Sequence, residues 1–167
     1  MKIRGGSREM DLVLKAAGAA VVSLPSNEIY AAMQTGAMDA ALTSSTSLIS
    51  FRLEEVSKAL TTGRGKAYWF MFEPLLMSKS VFDGLTKEQQ AAISAVGEEM
   101  EKFATEQAKA DDQTVADVYT KAGAKVVDLS DAVVEKWRTI SRDTAWKDFA
   151  ARNESCAKLI KLAEDVK

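Results

Sequence analysis

Residues 2–45, KIRGGSREMDLVLKAAGAAVVSLPSNEIYAAMQTGAMDAALTSS, switch repeatedly between two hydrophobic periods, and that switching leaves few folds open. Ile3 and its neighbours read as a short strand, and Gly5, Gly6 and Ser7 turn the chain into a helix. Met10, Val13, Leu14 and Ala17 fall on one face of that helix at helical spacing, and Gly18 is placed to stop it. Val21 to Leu24 is a β-branched strand. Pro25, Ser26 and Asn27 then open a second helix, with Ser26 expected as its N-cap and Glu28 favourable in its first turn. Ile29, Ala32 and Met33 face the core, and Gly36 ends the helix. Ala37 to Leu42 is a nearly continuous apolar run, as expected of a strand buried on both faces. Two successive crossovers with helices of about three turns predict right-handed βαβ units and a parallel sheet. The polar residues Arg4, Ser26 and Thr43 to Ser45 gather where the three strands end. Open α/β sheets bind ligands at the carboxyl ends of their strands, so a cation beside several hydroxyls suits a small organic anion.

Composition narrows the chemistry. A chain of 167 residues predicts one domain, or one lobe with part of another. A formal charge of -2 argues against nucleic-acid binding driven by net charge. No apolar run approaches the roughly 20 residues of a membrane-spanning helix, so no direct membrane insertion is expected. Met1 to Arg4 run straight into a strand without a targeting signal, which suggests a fragment of a longer chain. Cys156 is the single cysteine and there is no histidine. That excludes an intrachain disulfide, Ser-His-Asp and Cys-His catalysis, and histidine-containing zinc sites. The seven methionines read as core filler. No cofactor or metal is expected, and the chain does not read as an enzyme.

Beyond residue 45, a helix runs through Leu48, Phe51 and Val56, and Lys58 to Thr61 reads as a strand. Gly63 to Gly65 lacks the lysine, spacing and following helix of a phosphate loop and reads as an ordinary turn. Ala67 to Phe72 is the most aromatic part of the chain. Glu73 and Pro74 interrupt it before Leu75 to Ser78 resumes as a strand. The sequence leaves both a hinge between lobes and an aromatic core strand open for this segment. Thr86 to Gln89 forms a capping-box pattern ahead of a single long helix ended by Gly123. Ile93, Val96, Met100 and Phe103 make one apolar stripe on it, and Val115, Val118 and Tyr119 another. The polar stretch between them places the two halves on different surfaces. Ala124 to Leu129 is a further strand, and Ser130 caps a helix with Val133, Val134, Trp137 and Ile140 inward. A last helix from Asn153 carries Cys156, Leu159, Ile160 and Ala163 on one face. The pairs Glu54/Glu55, Glu98/Glu99 and Asp111/Asp112 diverge by 100 degrees on a helix and read as solvated surface.

Lys2-Ile3-Arg4, then Gly18-Ala19, then Glu28-Ile29-Tyr30-x-Ala32-Met33-Gln34-x-Gly36-x-x-Asp39-Ala40 resembles the C-terminal half of the TRAP transporter substrate-binding proteins. Those receptors carry a K-[IL]-R strand, a G-A pair, and a run like E-V-Y-x-A-L-Q-x-G-x-V-D-G. Leu76-Met77-Ser78 and Phe82-x-x-Leu85-Thr86-x-Glu88-x-Gln90 also follow the family's order. The resemblance implies a periplasmic-binding-protein-like α/β lobe with a mostly parallel sheet flanked by helices, plus a long inter-lobe helix, the N-terminal lobe being largely missing. It implies that residues 1–68 and 110–167 form the second lobe, with 69–109 holding the hinge strand, a first-lobe segment and the first half of the long helix.

By the same resemblance, the function is periplasmic capture of a small organic acid for delivery to TRAP membrane permease subunits. The Arg4 guanidinium would hold the ligand carboxylate, matching it as a planar fork. Ser26, Thr43, Ser44 and Ser45 would orient the remainder, and Tyr68, Trp69 and Phe70 would offer aromatic contact suited to an aromatic or apolar carboxylate. Two positions depart from the family. Thr43 stands where many members place a ligand-touching asparagine, and Ser26 where an aromatic is common. Surfaces stripped of the first lobe are expected to drive homo-oligomer formation. The alternative reading is a stand-alone α/β interaction module that dimerises through the long helix. An effector-sensing regulator would need a helix-turn-helix, which no segment resembles.

Overall fold

The computed structural model describes residues 1–62, 64–66, 69 and 74–165. The first strand, β1 (Lys2–Gly5), leads into helix α1 (Arg8–Ala16), whose N-cap Ser7 accepts from the Met10 backbone N–H. Strand β2 (Ala20–Ser23) follows, then a 3-10 turn over Ser26–Glu28 that runs into α2 (Ile29–Gln34). Strand β3 (Ala40–Ala41) completes a parallel sheet of order β2-β1-β3. β1 is central, with Arg4 level with Val22 on one side and Ala41 on the other. Gly18 and Gly36 adopt φ +86 and +73, the left-handed geometry that ends each helix cheaply only at glycine.

Helix α3 (Ser45–Ser50) comes next, followed by a 3-10 turn at Leu53–Glu55 and strand β4 (Ala59–Thr62). A short helix α4 (Lys79–Asp83) precedes α5 (Lys87–Lys121), a single helix of 35 residues, about 50 Å long at 1.5 Å per residue. The expected capping box is present: Thr86 Oγ1 accepts from Gln89 N, and Gln89 Oε1 accepts from Thr86 N. Strand β5 (Lys125–Asp128) pairs in parallel with β4. The chain closes with α6 (Asp131–Ser141), a π-helical turn at Arg142–Trp146, α7 (Lys147–Ala150) and α8 (Glu154–Glu164). Ser130 and Asn153 cap α6 and α8 as expected.

The α/β class, the parallel pairing and the long helix agree with the sequence. The core joins the parts: Ile29, Met38, Leu53, Leu60, Val115 and Tyr119 form one buried cluster, so the C-terminal part of α5 binds the two sheets together. The second apolar stripe of α5 is therefore a core stripe. The first is not. Ile93, Val96, Met100 and Phe103 are 41–56% exposed, and no described element covers them.

Several local expectations are corrected. Leu75 to Ser78 forms no strand; Leu75 and Leu76 are 93% and 86% exposed. A strand needs a ladder partner, and neither described sheet reaches this segment. Ala37 to Leu42 contributes only a two-residue strand, flanked by Asp39 N donating to Lys2 O and Leu42 N to Arg4 O, while Met38 is buried in the core. The helix through Leu48 and Val56 breaks at Arg52, which lies in the left-handed region at φ 52. Val133 and Leu159, expected inward, are exposed. Asp111 and Asp112 are not solvated surface: their carboxylates accept from Thr46 Oγ1 at 2.8 Å and Ser45 Oγ at 2.7 Å. The polar middle of α5 is thus where α3 is fastened to the long helix. Arg64 makes a two-pronged pair with Asp128 at 2.9 and 2.7 Å.

Candidate functional site

Arg4 ends the central strand and is only 6% exposed. A buried guanidinium must be hydrogen-bonded or it costs several kcal/mol, and the fold supplies acceptors from three directions. Nε donates to Leu24 O at 2.9 Å, Nη1 to Leu42 O at 3.1 Å, and Nη2 to Ser26 Oγ at 3.2 Å. Leu24 and Ser26 follow β2, and Leu42 follows β3. The side chain therefore spans the carboxyl ends of all three strands. Leu42 is held twice, because its N–H also donates to Arg4 O.

Of the five guanidinium N–H donors, the described residues take three, leaving one on each η nitrogen. Two N–H groups on adjacent nitrogens are what a carboxylate can accept in bidentate fashion. Burial pushes the Arg4 guanidinium down from its ordinary value, and the nearby Asp11 carboxylate opposes that shift. Gly6 forms the other wall: a Cβ there would lie 2.8 Å from Nη1 and 3.2 Å from both Cζ and Nη2. Glycine is required by the closeness of the guanidinium, not by backbone angle. Asp11 packs over Gly5 in the same way, its Oδ1 2.0 Å from where a Gly5 Cβ would sit.

The structure brings some of the named residues to Arg4 and leads others elsewhere. Ser26 does not cap α2; its hydroxyl accepts from Arg4 instead. Ser44 is the N-cap of α3, accepting from Ser47 N at 3.2 Å, and Ser45 is spent on Asp112. Thr43 is half-buried and its hydroxyl makes no hydrogen bond among the described residues. Tyr68 and Phe70 lie outside the described residues. Trp69 lines a different cavity, between α1, α6 and the π turn, and none of Arg4, Ser26 or residues 43–45 contributes to its walls. Gly6, Leu24 and Leu42 are site residues that sequence reading missed. The backbone carbonyls carry no sequence signal, but the Gly5-Gly6 pair directly after the arginine was one.

The loop Gly5 to Ser7 is fastened from behind by charge. Arg8 forks onto Asp148 at 2.5 and 3.1 Å, and Arg152 reaches both Asp148 at 2.8 Å and Glu9 at 2.5 Å. These pairs tie the start of α1 to the α7–α8 corner. The hydrogen bonds from Arg8 and Arg152 pull the Asp148 carboxyl down to about 2. Its folded value is below its unfolded one, so its stabilising contribution is fully present above about pH 4. That contribution is lost as the pH falls toward 2. Thermal melts should show a steep loss of Tm over this window in the native chain and a shallower one in Asp148→Asn. Equal slopes would discount the network.

Comparisons with known proteins place the chain in a family. The profile of the DctP family, bacterial extracellular solute-binding protein family 7, matches residues 1–153. The chain belongs to that family. A solute-binding protein of Albidiferax ferrireducens is 74% identical over 98% of this chain, which covers 48% of that protein. A crystal structure of a TRAP periplasmic solute-binding protein from Rhodoferax ferrireducens, with bound malonate, has 74% identity and a TM-score of 0.93 over 98% of this chain and 52% of its own. A Desulfovibrio salexigens TRAP protein with bound orotic acid shares the fold at TM-score 0.82, with 23% identity, over 98% of this chain and 52% of its own. This family 7 chain thus spans about half the length of the relatives it matches. Members of the family are solute-binding components of transporters.

Proposed function

We propose that this chain is the carboxylate-holding half of a periplasmic TRAP solute receptor, and that its ligand is a small organic acid of the malonate kind. The observation that carries the reading is the buried Arg4 guanidinium, held by Leu24, Leu42 and Ser26, with one donor left on each η nitrogen. Thr43 follows Leu42, whose carbonyl accepts from Arg4, and stands where the family resemblance places a ligand-touching asparagine. A threonine hydroxyl supplies one short donor where an amide supplies two, which favours a compact acid over a long one. Malonate in the 74% identical Rhodoferax protein supports this choice. No catalytic step is assigned to the chain.

Residues 1–68 and 110–167 form the ligand-holding lobe in this reading. Residues 69–109 belong to the hinge and to the opposite lobe, whose main sheet the chain does not contain. A two-lobed clamp needs both walls, so the chain by itself should bind malonate weakly, with Kd above about 100 µM. Joining it in one polypeptide to the part of the Rhodoferax protein outside the match should tighten binding by at least about two orders of magnitude. Isothermal titration of both forms tests this. Submicromolar binding by the lone chain would overturn the two-wall clamp; no carboxylate binding by the joined form would overturn the receptor role. Delivery to a membrane permease follows the family, and the exposed stripe of α5 makes the lone chain self-associate.

A further inference from the structure

We propose that the cavity between α1, α6 and the π turn is a second small-molecule site, and that it takes an aromatic monocarboxylate. The cavity measures about 410 Å³, within the range of pockets that enclose small organic ligands. It lies on the far side of α1 from the sheet, because α1 packs on β1 and β2 with one face and on α6 and the π turn with the other. It is therefore separate from the Arg4 site.

Its walls are flat and apolar: Trp69, Trp146 and Phe149 with Val13 and Ala145 between them. Aromatic faces of this kind favour another ring, stacked or edge-on. The π turn supplies both Ala145 and Trp146. Such turns have poorer hydrogen bonding than α-helix and concentrate at functional sites. Here the turn brings a small residue and a large ring to the same cavity, and Arg142 lies over the Trp146 ring at 5.7 Å.

Arg138 lines the cavity and is held to Glu135 only at 3.3 Å, which leaves most of its donors for an anion. One carboxylate satisfies it. A second is disfavoured, because Glu9 contributes to the same wall and its charge is balanced by Arg152 rather than by a free cation.

Phenylacetate is the probe. Isothermal titration, with the fluorescence of Trp69 and Trp146 as a second signal, should give one saturable site per chain with Kd between about 10 µM and 1 mM. Saturating malonate should not displace it. Arg138→Gln, on an exposed side chain, should weaken phenylacetate about tenfold and leave neutral phenylacetamide unchanged. Ala145→Leu should fill the cavity and abolish binding. Trp69→Ala removes one aromatic wall and should weaken binding about fivefold. The proposal is overturned by the absence of saturation at about 10 mM, by competition from malonate, or by unchanged affinity in both Arg138→Gln and Trp69→Ala.

Discussion

Arg4→Ala is expected to cost both affinity and stability, and the two losses have different origins. Truncating one partner of a buried charged hydrogen-bonded contact costs about 2–5 kcal/mol, or roughly 30- to 4,000-fold in Kd. Malonate titration of the two-lobed form reads this loss. Stability falls because Leu24 O and Leu42 O lose their donor at the ends of two different strands; about 2–3 kcal/mol is expected for the pair, read as a shift in urea midpoint. Arg4→Lys separates fork from charge. An ammonium carries its donors on one nitrogen, so it cannot meet Leu24 O, Leu42 O and Ser26 Oγ and still present two parallel N–H groups to a carboxylate. Lysine should therefore recover less than about one tenth of the lost affinity. Full rescue by lysine would mean that charge alone matters. Gly6→Ala acts on the guanidinium without removing it. Its Cβ would lie 2.8 Å from Nη1, so the guanidinium must shift and affinity should fall about tenfold, with a smaller loss of urea midpoint than in Arg4→Ala.

How much of this was legible beforehand follows from where each residue finds its partner. The β1-α1-β2-α2-β3 unit was readable because each element carries its own signals: the α1 stripe Met10, Val13 and Leu14, and left-handed glycines at 18 and 36. Arg4 was readable as the cation at the end of the central strand. Its orienting acceptors were not, because Leu24 and Leu42 contribute carbonyl oxygens, which every residue has. Ser26 misled for a related reason. A serine after a proline at a helix start is a good cap, but the 3-10 turn leaves its hydroxyl free to satisfy a buried guanidinium, the more demanding partner. Ser45 and Asp112 are 67 residues apart and meet only once α3 lies across α5. Leu75 to Ser78 shows the opposite failure. Its local pattern is that of a strand, but strands are made by neighbours, and none of the described strands lies alongside it.

Charging the uncovered half of α5 should abolish self-association without harming the fold. Val96 and Phe103 are seven residues apart and 56% and 54% exposed, so they lie on one helical face and the core does not depend on them. Contiguous apolar surface of this sort is unusual on a monomer and marks a contact surface. Leu75, Leu76, Met77 and Val81 extend the exposed apolar surface outside the helix. If association buries the remaining exposed area of Val96 and Phe103, their share is about 2 kcal/mol. Replacing both with lysine should thus weaken association at least about 30-fold. Sedimentation velocity over a concentration series should show the native chain growing beyond a monomer, and Val96→Lys/Phe103→Lys remaining one. Urea midpoints of the two should agree, because neither side chain reaches the cluster of Ile29, Leu60, Val115 and Tyr119. A native chain that stays monomeric at the highest concentration would leave the stripe without the role assigned to it. The joined, two-lobed form provides the decisive contrast. On the proposed division into lobes the opposite lobe would cover the first half of α5, so the same double substitution should destabilise that form while leaving the lone chain's stability unchanged. A surface that governs oligomeric state in one form and folding stability in the other is one wall of an interface between lobes.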